Sequence, residues 1–167
     1  VSKALELPSG GLGIKLLVTG DRKDILKASA IVLPGVGAFG KGMENLKKLN
    51  LIDVLKERVK DKVPFLGICL GLQLLFTESQ EHGRFSGLDI IKGRVVRFPK
   101  TVKIPHMGWN QIQTKDKILN IKNDPEKFAK APEEKSKIGL FDGIPDNSYF
   151  YFVHSYYVDP EDKSLVL

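Results

Sequence analysis

The chain of 167 residues contains a single cysteine, Cys69, and the residues around it are spaced for nucleophilic chemistry. Gly67-Ile68-Cys69-Leu70-Gly71 follows the apolar run Phe65–Ile68 and leads directly into a leucine-rich stretch. A strand that turns abruptly into a helix at its nucleophile is a nucleophile elbow, here with cysteine where many hydrolases use serine. The turn holds the nucleophile on strained backbone above the sheet edge, so the residues two before and two after it must be small, and Gly67 and Gly71 supply that room. The helix N-terminus beneath the sulfur favours thiolate over thiol. The backbone N–H of Leu70 points to where a tetrahedral oxyanion would form. A lone cysteine is more often a buried structural residue. That reading leaves the coincidence of strand, helix and paired glycines without a cause.

A second glycine motif, Leu33-Pro-Gly-Val-Gly-Ala-Phe-Gly40, follows another apolar run. A Walker loop would continue Gly-Lys-Ser or Gly-Lys-Thr, whereas Gly40-Lys41 is followed by Gly42. A dinucleotide fingerprint fits poorly too. Glycines at 35, 37 and 40 bring backbone N–H groups close to a ligand, and beside a cysteine elbow the motif reads as the other half of an oxyanion hole.

The elements needed to position these motifs are those of an α/β sheet with crossover helices. Lys15–Thr19, Ala30–Leu33 and Phe65–Ile68 read as short buried parallel strands. Leu46, Leu49, Ile52, Leu55 and Val59 recur at helical spacing, and Cys69–Glu78 reads as the helix after the elbow. In the second half, Ile90–Phe98 reads as two β pieces around Gly93. Trp109–Gln113 fits a strand, and the aromatic run Ser148–Val158 fits one long strand.

Hydrophobic residues make up 42% and charged residues 28%, the balance of one ordinary globular domain. No run is long enough to cross a bilayer and none reads as a signal peptide, so a cytoplasmic protein with no membrane partner is expected. One cysteine excludes an internal disulfide and a multi-cysteine metal site. The net charge of +6 raises the question of nucleic acid. The lysines of 114–137 alternate with Asp116, Asp124, Glu126, Glu133 and Glu134, the pattern of a solvated surface insertion, so no nucleic-acid partner is expected.

The two glycine motifs together resemble the class I, triad-type glutamine amidotransferases. Within that family Pro34–Phe39, Pro105-His-Met-Gly-Trp-Asn110 and Phe152-Val-His-Ser-Tyr156 are similar to the glutaminase subunits that serve histidine biosynthesis. The resemblance implies a three-layer, flavodoxin-like α/β domain around a central, mostly parallel sheet, with no metal or other cofactor. It implies that Cys69 attacks the glutamine carboxamide, that Leu70 and Val36 donate to the oxyanion, and that the Gly35–Val36 peptide must reorient to do so. Gly37, Gln73, Glu81, Ser155 and Tyr156 would line the glutamine site. His106, Met107, Trp109, Asn110 and His154 would share one docking face for a (β/α)8-barrel cyclase that receives the ammonia. One departure is plain. The family's base lies in a His-x-Glu pair, and none of His82, His106 and His154 is followed two residues on by Glu. The chain therefore reads as a single domain, 1–167, lacking its first and last strands. An amidotransferase for another acceptor, a non-catalytic binding homologue and a cysteine-elbow hydrolase stay open beside it.

Overall fold

The computed structural model describes residues 1–9, 15–113, 140–141 and 143–166. The lysine-rich 114–137 segment lies outside the described residues. The described elements run α1 (Ser2–Ser9), α2 (Arg22–Lys27), β1 (Ile31–Gly35), α3 (Phe39–Lys48), α4 (Ile52–Lys60), β2 (Phe65–Cys69), α5 (Leu70–Leu74), β3 (Phe76–Ser79), β4 (Phe85–Ser86), β5 (Ile91–Arg97), β6 (His106–Gln111), β7 (Tyr149–His154) and β8 (Tyr156–Pro160). A closing 3-10 turn spans Lys163–Leu165.

Strands β1 and β2 pair in parallel, with Ile31 opposite Phe65 and Gly35 opposite Cys69. A second, mixed sheet has the order β4-β3-β5-β8, with β3 and β5 parallel and β5 and β8 antiparallel. Strands β6 and β7 form an antiparallel pair. The core joins the two halves of this arrangement: Phe39 and Leu46 of α3, Val54 and Leu55 of α4, Leu70 and Leu74 of α5, Phe76 of β3 and Val95 of β5 pack in one cluster. That burial supplies the driving force that the short helices lack by themselves.

Several elements differ from the pattern read in the sequence. Lys15–Thr19 forms no strand, and Val18 is 82% exposed. A strand needs a partner ladder, and among the described residues β1 and β2 pair only with each other. For the same reason β1 and β2 are half-buried rather than enclosed. The helical spacing from Leu46 to Val59 is divided between α3 and α4, because Asn50 turns into the left-handed region at φ 53°. Asparagine tolerates that conformation better than most residues.

The elbow helix is shorter than its periodicity implies. It ends at Leu74, and Phe76–Ser79 is strand. The backbone N–H of Leu88 donates to the Leu74 carbonyl, and those of Ile90 and Ile91 donate to the Leu75 carbonyl. These distant donors satisfy the carbonyls that a longer helix would have used. Gly93 does not divide β5; its φ of +140° lets Asp159 and Pro160 of β8 approach to distances that a Cβ would forbid. Conversely, Ser148–Val158 is two strands. Its first part pairs with β6 and its second with β5, and the change of partner falls at Ser155, whose carbonyl accepts from Phe98 N–H.

Candidate active site

Cys69 ends β2 and sits at φ 54°, ψ −118°, a conformation that costs a side-chain-bearing residue about 1–3 kcal/mol. Its neighbours explain how the turn is built. A Cβ on Gly71 would stand 1.7 Å from the carbonyl oxygen of Leu33, and one on Gly67 would stand 2.7 Å from Leu72 Cα. Both are contacts with backbone, which cannot step aside. The two glycines thus let α5 descend directly against β1 and β2, as the spacing implies. Leu70 is the first residue of α5 and its side chain is buried, and no side chain among the described residues caps the helix, so its N–H has no side-chain acceptor. Because α5 has five residues, the positive end behind Cys69 is that of a single short turn rather than a long helix.

The second glycine motif comes to the same place. Gly35 is the register partner of Cys69 at the ends of the parallel pair, and a Cβ there would press to 3.0 Å on Leu70 Cβ. Val36 follows with 94% of its surface exposed, and Gly37 adopts φ +100°. The loop between β1 and α3 therefore presents backbone, not packed side chains, next to Cys69.

Glu81 lies in the turn after β3. Its Oε2 accepts from the backbone N–H of Phe39, the first residue of α3, at 2.6 Å. Its own N–H donates to the hydroxyl of Ser79, which is fully buried. Gln73 is half-buried on α5, and its side chain has no hydrogen-bond partner among the described residues. Ser155 and Tyr156 stand at the junction of β7 and β8, and no side-chain hydrogen bond among the described residues joins them to Cys69, Gln73 or Glu81. Phe39 and Ser79 were not legible as site residues. A hydroxyl two residues before Glu81 is a weak turn signal, and nothing in the sequence links Glu81 to a residue 42 positions earlier.

The five expected docking residues lie on one antiparallel strand pair but not on one face. Strand alternation sends Met107 and Trp109 to one side, facing Val153 and Tyr151, and sends His106 and Asn110 to the other, with His106 opposite His154. The first side is exposed: Trp109 is 67% accessible and meets Tyr151 edge-on, at 5.5 Å between ring centroids. It is not a core tryptophan. On the second side His106 Nε2 contacts Asn110 Nδ2 at 2.6 Å, His154 Nδ1 contacts the Tyr156 carbonyl at 3.1 Å, and the two imidazoles pack near the ring of Phe98. His82 is exposed at φ 53° in the groove between α3 and the β3–β4 turn.

A cysteine at the turn from a parallel strand into a helix, facing a glycine loop across the strand pair, is the arrangement of a nucleophile elbow on an α/β scaffold. The family model for "Glutamine amidotransferase class-I" matches residues 16–167, and the chain belongs to this family. Over its whole length it is 45% identical to the Imidazole glycerol phosphate synthase subunit HisH of Aquifex aeolicus, covering 70% of that protein. The protein of the same description from Methanocaldococcus jannaschii is 43% identical over 99% of this chain and 71% of its own length. For that from Moorella thermoacetica the figures are 43%, 99% and 68%.

Proposed function

We propose that the chain is the glutaminase component of an imidazole glycerol phosphate synthase. It releases ammonia from glutamine for a (β/α)8-barrel cyclase subunit in histidine biosynthesis, in the cytoplasm. The observation that carries this reading is the Cys69 elbow set opposite Gly35, in a chain whose named relatives are all subunits of that synthase.

The chemistry follows from the groups present. Sγ of Cys69 adds to the glutamine carboxamide carbon. The carbonyl oxygen gains negative charge, which the N–H groups of Leu70 and, after reorientation of the Gly35–Val36 peptide, Val36 stabilise. The C–N bond breaks with protonation of nitrogen, ammonia leaves, and a γ-glutamyl thioester remains. Water then adds to the thioester and frees glutamate and the thiol. Proton transfer in both halves is a general base's task, which is assigned to none of His82, His106 and His154. Glu81 offers a carboxylate for the α-ammonium of glutamine and Gln73 an amide for its α-carboxylate, with Gly37, Ser155 and Tyr156 completing the pocket. Met107 and Trp109 form the cyclase-facing side of the β6–β7 hairpin. His106, Asn110 and His154 hold that hairpin from behind.

The test is glutamine hydrolysis by the full-length protein, alone and with the cyclase subunit and its nucleotide ligand. Hydrolysis should rise by orders of magnitude on adding both, and Cys69→Ala should abolish it. Turnover indifferent to the cyclase would sink the assignment to this synthase.

A further inference from the structure

The loop Val36–Ala38 is held between two anchors. The first is Gly35, paired opposite Cys69 in the β1–β2 ladder and so near Leu70 that an added Cβ would meet Leu70 Cβ at 3.0 Å. The second is Phe39, whose ring is fully buried in the core and whose N–H is taken by Glu81. Helix α3 has no cap of its own, because Ala38 at the N-cap position offers no side-chain acceptor. Glu81 does that work from across the fold. The turn that carries it is itself fastened: the Glu81 N–H is held by buried Ser79, and the Phe85 ring lies so close over α3 that a Cβ on Gly40 would meet it at 2.8 Å. Between the anchors stand three residues, and Gly37 is in the left-handed region at φ +100°.

We infer that Glu81 has a second task besides the glutamine ammonium: it is a positioning residue that pins the far end of the loop bearing the oxyanion peptide. This rests on the glutaminase reading above. The carboxylate then divides its oxygens, Oε2 to the Phe39 N–H and Oε1 to the ammonium. A glutamine bound at Glu81 is thereby felt at Val36, and by linkage an ordered loop favours glutamine. Substrate occupancy and oxyanion-hole assembly share one side chain.

Two substitutions separate the tasks. Glu81→Gln keeps an oxygen that can accept from Phe39 but loses the charge for the ammonium; Glu81→Ala loses both. They are assayed in the full-length protein with its cyclase subunit, with melting temperatures to confirm folding, beside amide hydrogen exchange at Phe39. We expect E81Q to raise KM about tenfold or more, with kcat held within about threefold and Phe39 still protected. We expect E81A to raise KM similarly, to lower kcat a further tenfold or so, and to speed Phe39 exchange by at least about tenfold. Equal kcat losses in both variants with Phe39 protected in both would overturn the anchor and leave Glu81 an ammonium partner only. Unchanged exchange in E81A would overturn it as well. An unchanged KM in E81Q would instead strike at the ammonium assignment, and the exchange result would still judge the anchor by itself.

Discussion

At the scale of the residue, Cys69 sits on strained backbone. Its φ of 54° with ψ of −118° is imposed by the fold, because Gly67 and Gly71 leave α5 only one way to descend from β2. Strain of about 1–3 kcal/mol there exceeds the roughly 0.5–1 kcal/mol that a glycine would forfeit to the unfolded chain. Cys69→Gly should therefore stabilise the protein by about 1 kcal/mol, seen as a rise in the denaturant midpoint at unchanged slope, while removing all thiol chemistry. A loss of stability would mean that the turn is relaxed in solution and that the thiol is not held up by strain.

At the scale of the element, the β6–β7 pair separates an exposed aromatic side from a packed side. Trp109 is exposed and touches Tyr151 on its own hairpin, so it contributes little to the fold of this chain. Its exposed surroundings of Met107, Tyr151 and Val153 suit an aromatic anchor that is buried only on docking. Trp109→Ala should shift folding stability by no more than about 0.5 kcal/mol. It should weaken association with the cyclase subunit by about 2 kcal/mol or more, close to thirtyfold in Kd by titration calorimetry. The opposite pattern, a fallen melting temperature with intact affinity, would make Trp109 a structural residue covered by this chain itself.

At the scale of the whole molecule, paired surface carboxylates make stability depend on pH in the acid range. Side-chain hydrogen bonds from Lys48 and Lys41 lower the pKa of Glu44 from 4.5 to about 2. The hydrogen bond from Lys92, with that from Thr77, lowers Asp89, and Lys163 lowers Asp159 in the same way. A depressed carboxylate pKa in the folded state means that the unfolded chain binds the proton first on acidification. The stabilisation from Glu44 is thus complete above pH 4.5 and is lost as pH falls towards 2. Melting temperature should drop across that window, and Glu44→Gln should flatten part of the drop. Because Glu44 lies on the surface, the difference between the two proteins at pH 7 should shrink in about 0.5 M salt, within a Debye length of a few ångströms. A salt-independent difference would place the effect in helix propensity rather than charge.

The sequence by itself determined the turn at Cys69. Gly67, Cys69 and Gly71 meet their steric requirements within a few residues of one another, and the family resemblance rests on equally local strings. The Gly35–Gly37 loop was legible for the same reason as a partner of the cysteine turn, and the register sets Gly35 opposite Cys69. Tertiary structure decided what depends on hydrogen-bond partners far along the chain. Leu88, Ile90 and Ile91 ended the elbow helix at a point its leucine periodicity did not mark. Two different partner strands broke the aromatic run at Ser155, although strand propensity is high on both sides of it. Lys15–Thr19 had the composition of a strand and, among the described residues, no ladder to join. Glu81 entered as an expected lining residue through the resemblance, but its bond to Phe39 was not readable. A backbone N–H carries no side-chain identity, and only the packing of Phe39 into the core brings it within 2.6 Å of that carboxylate.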